Sequence, residues 1–289
     1  MNTPNDIDHA EAWDLEIKPR TSLFQLNLKE VWRYRDLMLL FVRRDFVAQY
    51  KQTILGPLWY LIQPILTTIM FLILFNRVAR IPTDGVHPIV FYMSGITIWT
   101  YFSTALTATS NTFVANANIF GKVYFPRLVT PISIIISNLI RFGIQFSLLL
   151  AAMIWFSFKG YPVMASVNWL LLPLILAVFA ALSLGLGIII SSLTTKYRDL
   201  TVLITFSIQL LMYATPIAYP LSFLQDSGYA WVIEWNPLSP LVEAFRYVLL
   251  GKGTFTVDSI LYSLGVTGII LLIGIVMFNR VEKTFMDTV

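Results

Sequence analysis

The chain has no cysteine, only two histidines and few charges, with Asp, Glu, Lys and Arg together making 12% of its 289 residues. Absence of cysteine excludes disulfides, thiolate catalysis and Cys-ligated metals. His9 lies in the N-terminal segment and His87 in a distant loop, so the two do not make a metal pair. No Ser-His-Asp or paired-carboxylate arrangement stands out among the apolar segments. A nucleotide-binding loop is missing too. Neither Gly121-Lys122 nor Gly251-Lys252 is followed by Ser or Thr, or preceded by the glycine that a phosphate-cradling loop requires. A secretory signal is absent as well, because Asp6, Asp8, Glu11, Asp14 and Glu16 all precede the first basic residue, Lys18. Residues 1–26 are read as a native, polar cytoplasmic tail.

What remains is apolar: 57% of residues are hydrophobic and the mean hydropathy is +0.72. A soluble domain would carry about a quarter of its residues as charges, so the solvent for most of this chain is lipid. A membrane helix needs about 20 apolar residues at about 1.5 Å each. Charge-free runs place spans at Leu55–Phe75, Ile89–Leu106, Leu128–Phe158 (broken only by Arg141), Trp169–Leu193, Leu200–Leu221 and Ile260–Phe278. Six spans put both termini on one side. Of the 20 Lys and Arg, Arg77, Arg80, Lys159, Arg246 and Lys252 then fall outside, Arg141 within a span, and the remaining fourteen inside. Positive charge marks the cytoplasmic side, so both termini are expected there.

Two segments depart from a span-and-loop plan. In Asn27–Thr53, Asn27 and Glu30 have the spacing of an N-cap pair. Leu39, Val42, Phe46 and Tyr50 fall within about 80° of one another on a helical wheel, opposite Arg44, Asp45, Lys51 and Gln52. That pattern predicts an amphipathic helix in the inner interface, with a soluble helix packed on a partner as the other reading. Trp231–Leu250, on the outer side, is apolar but interrupted by Glu234, Asn236-Pro237, Pro240, Glu243 and Arg246. Each piece is too short to cross. Two re-entrant half-helices hinged at Asn236-Pro237 would fit, with Glu243 and Arg246 neutralising each other at i, i+3. A plain external loop with a surface helix is the alternative.

The expected fold is therefore all-α and integral to the membrane: an interfacial amphipathic helix (27–54), then a six-helix transmembrane domain (55–289) with an external re-entrant helical hairpin (231–250) before the last span.

Three stretches carry a resemblance: Glu30-Val-Trp-Arg-Tyr-Arg-Asp36 with Arg43-Arg-Asp45, then Tyr50-Lys-Gln-Thr-Ile-Leu-Gly-Pro-Leu-Trp-Tyr-Leu-Ile-Gln-Pro64, then Asn236-Pro-Leu-Ser-Pro-Leu-Val-Glu-Ala-Phe-Arg246. Together they resemble the permease subunits of type-2 ABC exporters, in the polysaccharide branch that moves O-antigen, capsule or teichoic acid. The likeness runs from about residue 25 to 285. It implies a bacterial inner-membrane, multi-pass homodimer working with two copies of a separate cytoplasmic ATPase, which alone binds ATP and Mg. It also implies a lipid-linked polysaccharide as cargo, foremost O-antigen on undecaprenyl pyrophosphate. Membrane lipids are the other expected partners, and nucleic acid is not. This chain itself is then no enzyme and holds no cofactor or metal. A permease for teichoic acid, small lipids or drugs is the nearer alternative, and a membrane-embedded transferase acting on lipid-linked sugars the more distant one.

Residue roles follow on that reading. Gly56-Pro57 sits where the interfacial helix must turn into the first span, and a proline there loses no hydrogen bond. Gln63 and Pro64 within that span are either a kink or part of a pathway. The segment Ala115–Thr130 is expected to be a short helix stopped near Pro126. In the family this loop docks into the ATPase, which would make Lys122, Tyr124, Phe125 and Arg127 the coupling contact, with Lys196 and Arg198 a second one. Arg43, Arg44 and Lys51 at the inner mouth, and Arg141 within the third span, are candidates for the pyrophosphate. Arg141 could equally meet polar groups of another helix. Trp59, Tyr60, Trp99 and Tyr213, like Tyr92, Tyr101 and Phe102, could line a sugar path or serve as interface belts and packing. Asn236, Pro237, Glu243 and Arg246 would form the external gate.

Overall fold

The computed structural model describes residues 28–51, 53–161, 167–197, 199–223, 228, 230–254 and 256–288. All regular structure among the described residues is helical. The chain opens with α1 (Leu28–Arg33) and α2 (Arg35–Tyr50), which meet at Tyr34, where φ −91 and ψ 22 leave the helical range. The expected single helix is thus two. The tail, Asn27 and Gln52 lie outside the described residues.

The chain enters α3 (Trp59–Phe71) through a 3-10 turn at Gly56–Leu58, and α3 widens into a π-helical stretch, Leu72–Val78. Gly56 takes φ +50, open to glycine without a Cβ penalty, and Pro57 follows in the first turn as expected. Next come α4 (Pro88–Ser110), α5 (Thr112–Phe120), α6 (Val129–Ser157), α7 (Leu172–Thr194), α8 (Leu200–Tyr213), α9 (Ala230–Glu234), α10 (Leu238–Leu250) and α11 (Val257–Thr288).

Among the described residues, five stretches are long and apolar enough to cross a membrane: Gly56–Val78, Pro88–Ser110, Val129–Ser157, Asn168–Thr194 and Val257–Glu282. The expected fifth span, Leu200–Leu221, is not one of them. α8 has 14 residues, about 21 Å at 1.5 Å each, short of an apolar thickness of about 30 Å. The helix ends at Tyr213 because Pro216 lacks an amide and disfavours helical backbone at Thr215. Residues 214–220 follow as a turn-rich segment with Thr215, Ile217 and Ala218 buried.

α4 is the centre of the bundle. Its most apolar window is 78% buried, against 17% to 22% for α3, α6 and α11 at the periphery. It packs on α6, α7 and α3, and α7 packs in turn on α11. Glycines permit the closest approaches: a Cβ on Gly187 would lie 2.5 Å from Thr109 Cβ, and one on Gly274 2.8 Å from the Gly185 carbonyl. Where α4 gives way to α5, Ser191 Oγ accepts the Phe113 N–H at 3.2 Å and Thr194 Oγ1 donates to the Ser110 carbonyl at 3.3 Å. Backbone groups freed by that break are thereby satisfied.

At the α5 end of the bundle, Val31, Met38 and Phe41 join Phe113, Phe120, Phe125, Val129 and Phe278 in a second apolar cluster. α2 therefore lies against α6 with Met38, Phe41 and Val42 inward. Leu39, expected on the apolar face, is 61% exposed, as are Leu40 and Val47 in lesser or similar degree. Of the face expected to be apolar, Val42 is buried and Phe46 half-buried while Leu39 is exposed, so α2 presents apolar residues on two sides, which protein and lipid both accept.

Candidate functional site

α5 stops at Phe120 rather than continuing to Pro126. Gly121 is its C-cap, and the Lys122 and Val123 amides both turn back onto the Ile119 carbonyl at 3.1 Å. Residues 121–127 form a loop in which neighbouring aromatics part ways. Tyr124 is 56% exposed, whereas Phe125 is 5% exposed, edge-on to Phe41 at 5.7 Å and tilted on Phe120 at 5.8 Å. Phe125 is thus core, which corrects the expectation that both rings face a partner. Lys122 is exposed. Arg127 is turned inward: its Nη1 donates to the Glu282 carbonyl at 2.7 Å, and its backbone N–H reaches Glu282 Oε1 at 3.4 Å. Burial pulls the Arg127 guanidinium below its usual value and Glu282 works against that. The loop is accordingly tied to α2 through Phe125 and to α11 through Arg127. Lys196 is exposed with its Nζ 5.3 Å from the Tyr197 ring; Arg198 lies outside the described residues.

The basic residues of α2 are unequal. Arg43 and Lys51 are exposed. Arg44 already has company, with Nη2 2.8 Å from Asp45 Oδ1 and its guanidinium 4.7 Å from the Phe41 ring. Arg141 on α6 sits 5.5 Å over the Tyr60 ring of α3, and its Nη1 donates to Asn138 Oδ1 at 3.3 Å. Its Nε is buried without a partner. Among the predicted pathway residues, then, Tyr60 and Arg141 meet. Trp59 and Tyr213 are exposed. Tyr92, Tyr101 and Phe102 are fully inside the core and line no path.

At the opposite end, the residues expected to form an external gate do come together, around the segment that follows α8. Asn236 Nδ2 donates to the Ala214 carbonyl at 3.0 Å and to Thr215 Oγ1 at 2.9 Å, while its Oδ1 accepts the Leu238 N–H at 3.0 Å. With Pro237 next in line, this starts α10. Glu243 and Arg246 are 3% and 2% exposed and form an ion pair at 3.2 Å. Arg246 also donates to the carbonyls of Pro216, Ile217 and Tyr219, and lies 4.0 Å over the Phe91 ring. Glu243 Oε2 accepts the Thr254 N–H at 3.3 Å. The pair is less a free gate than a clamp on non-helical backbone.

Sequence reasoning missed a groove of about 450 Å³ between α4 and α8, lined by Trp99, Ser103, Thr104, Thr107, Ala108, Asn111, Thr205, Ile208, Gln209 and Met212. A neighbouring hollow on α8 shares Thr205 and Gln209 and is completed by Thr201, Val202 and Phe206. Trp99 packs on Phe102 at 5.6 Å and still edges the groove. The accessible side of α4 is hydroxyl and amide, while α3 exposes Ile65, Leu66, Ile69 and Leu74, and α11 exposes Leu261, Leu264, Ile269 and Leu272. Lipid accepts the latter; the hydroxyls and amides along α4 call for water or a polar cargo, although α8 exposes Val202, Leu203, Phe206 and Leu210 beside them. The signal was readable as Ser103, Thr104, Thr107 and Asn111 at helical spacing on one face.

A helical membrane domain with a polar face among apolar ones is the architecture of a transport permease. Residues 36–250 match the family of ABC-2 type transporters, and the chain belongs to that family. It is 30% identical over 255 residues to the O-antigen export system permease protein RfbA of Klebsiella pneumoniae, covering 87% of this chain and 94% of that one. Likeness to RfbA of Myxococcus xanthus is 27% over 225 residues, 76% and 83% of the two chains. The polysialic acid transport protein KpsM of Escherichia coli is 22% identical over 248 residues, 85% and 93%.

Proposed function

We propose that this chain is the membrane-spanning subunit of an ATP-driven exporter that carries a lipid-linked polysaccharide, foremost undecaprenyl-pyrophosphate-linked O-antigen, outward across the bacterial inner membrane. Two copies form the pathway and two separate ATPase subunits bind ATP and Mg and drive it. Both termini are cytoplasmic. α8 together with residues 214–220 makes the sixth crossing, and α9 and α10 dip into the membrane from outside without traversing it.

The observation that carries this reading is the groove of α4 and α8: a row of hydroxyl and amide groups runs along a wall otherwise formed by Trp99, Ile208 and Met212, a mixture that suits the hydroxyls and the C–H faces of a sugar chain. The printed functions of the relatives in Klebsiella, Myxococcus and Escherichia, all exporters or transporters of polysaccharide by name, support the cargo class. Missing phosphate-cradling loops support a separate energy source. Lys122 and Tyr124, with Arg127 behind them, are the main ATPase-facing set, and Lys196 and Arg198 a second one. Arg43, Arg44, Lys51 and Arg141 are the cationic set for the pyrophosphate.

The test is reconstitution. The purified chain alone should hydrolyse no ATP, and with its ATPase in proteoliposomes it should translocate a lipid-linked glycan only when ATP is present. Turnover by the chain alone, or glycan movement without ATP, would sink the two-subunit reading.

A further inference from the structure

The groove between α4 and α8 withholds charge. Ser103, Thr104, Thr107, Asn111, Thr205 and Gln209 supply its polarity, and none of its lining residues is Asp, Glu, Lys, Arg or His. Its donors are largely committed. Thr104 Oγ1 donates to the Thr100 carbonyl at 2.6 Å, Thr107 Oγ1 to Ser103 at 2.7 Å, and Thr205 Oγ1 to Thr201 at 3.0 Å. Ser103 Oγ donates to Thr100 at 3.3 Å, and Asn111 Nδ2 to Thr107 at 3.0 Å. An oxygen whose proton is held by its own helix turns lone pairs toward the groove. The polar part of the wall is thus mainly an acceptor surface, with Gln209 offering amide donors, and Trp99, Ala108, Ile208 and Met212 make the rest of it apolar.

We infer that this groove selects for a neutral, hydroxyl-rich glycan and against one bearing carboxylates or phosphates along its repeat. The inference rests on the reading that the groove lies on the cargo path. A sugar hydroxyl can give its proton to a wall oxygen and still accept from a neighbour. A carboxylate brings only acceptors, meets lone pairs and finds no cation, and an unpaired anion is costly away from bulk water. The carrier's pyrophosphate is a different case. It occurs once per chain and has the α2 cations and Arg141 to meet it, whereas charge in the repeat would confront the groove at every step.

The experiment uses the complete complex with its ATPase in proteoliposomes and two lipid-linked glycans of equal length. One is a neutral hexose polymer; the other carries a hexuronate in each repeat. The neutral chain should be exported at least about tenfold faster. Thr107→Val with Thr205→Val, which keeps shape but removes two acceptor oxygens, should slow the neutral chain severalfold, and Gln209→Lys should narrow the ratio severalfold. Equal rates, or preference for the anionic glycan, overturn the inference and leave polysaccharide export standing. Transport of neither glycan by a complex that hydrolyses ATP overturns the export reading and this inference together.

Discussion

Arg246 on α10 holds the carbonyl of Ile217, in the segment after α8, at 2.6 Å. That bond and those to Pro216 and Tyr219 give partners to backbone carbonyls that no helix serves. Glu243 balances the charge, and Gly95 makes room, because a Cβ there would lie 2.8 Å from Arg246 Nη2. The clamp explains how α8 can stop at Tyr213 with the carbonyls of Pro216, Ile217 and Tyr219 still served.

Replacing Arg246 should therefore unfold this end of the bundle. Arg246→Met leaves Glu243 buried without its cation, a change worth about 3–5 kcal/mol. Arg246→Lys should fare little better, since a point charge cannot serve several carbonyls as a guanidinium fork does. Thermal melting of the detergent-solubilised protein reads this directly. Melting at the native temperature in both variants would remove the clamp from the account.

Tyr124 and Phe125 should separate assembly from folding. Tyr124→Ala removes an exposed ring and is expected to weaken co-purification with the ATPase while melting stays native. Phe125→Ala empties a site between Phe41 and Phe120 and should cost about 3–5 kcal/mol of stability. Equal effects of the two substitutions on both readouts would contradict the division seen in the loop.

Much of this was legible in the sequence. Charge-free runs located α4, α6 and α7 to within a few residues, because a helix that long and apolar has few other environments, and found α11 but not its polar last turns, which run on to Thr288. The i, i+3 spacing of Glu243 and Arg246 announced their pairing, but not the carbonyls of 216, 217 and 219, which only folding brings near. Phe125 was misjudged for a related reason: apolarity says a side chain leaves water, not whether lipid or protein receives it. Hydroxyls of Ser103, Thr104 and Thr107 passed unnoticed because isolated Ser and Thr are common in membrane helices and bond to their own backbone.

Topology can be tested with single cysteines, since the native chain has none. Trp235 is 74% exposed and Lys252 is exposed too. Trp235→Cys and Lys252→Cys should react with an impermeant maleimide from the external side only. Ser239 and Leu249, both buried in α10, should stay silent until the protein is denatured. Cytoplasmic labelling at either exposed position would mean that residues 230–250 cross the membrane.

His87, at the start of α4, stacks on Phe156 at 3.8 Å and meets Tyr161 edge-on at 4.9 Å. Burial pushes its imidazole below the ordinary histidine value, and Lys159 pushes the same way. A group with a depressed folded value binds a proton more readily when unfolded. Its stabilising contribution is thus complete above about pH 6.5 and falls away as pH drops through the folded value. Melting temperature should decline on acidification from neutrality, and His87→Phe should flatten that slope. An identical slope in the variant would assign the pH response to other groups.

On the proposed reading, Arg44 and Asp45 bear on how cargo enters. Their contact at 2.8 Å is half in solvent, with the arginine side chain 42% exposed, and such a pair is worth only about 0–1 kcal/mol. An incoming pyrophosphate would compete with Asp45 for Arg44 and could bridge to Lys51, about 20° away on the helical wheel. Two predictions with opposite signs follow. Arg44→Gln with Lys51→Gln removes both cations but keeps long polar side chains, so assembly should survive while polymer export falls severalfold. Asp45→Asn removes the competing carboxylate and should leave export equal or raised, because charge-assisted bonds to the phosphate no longer displace an internal one. The measurement is surface polymer per assembled complex in cells carrying each variant. If the double substitution leaves export normal and Asp45→Asn lowers it, these residues fix α2 in place, and Arg141, whose Nε lacks a partner, becomes the first cation to examine.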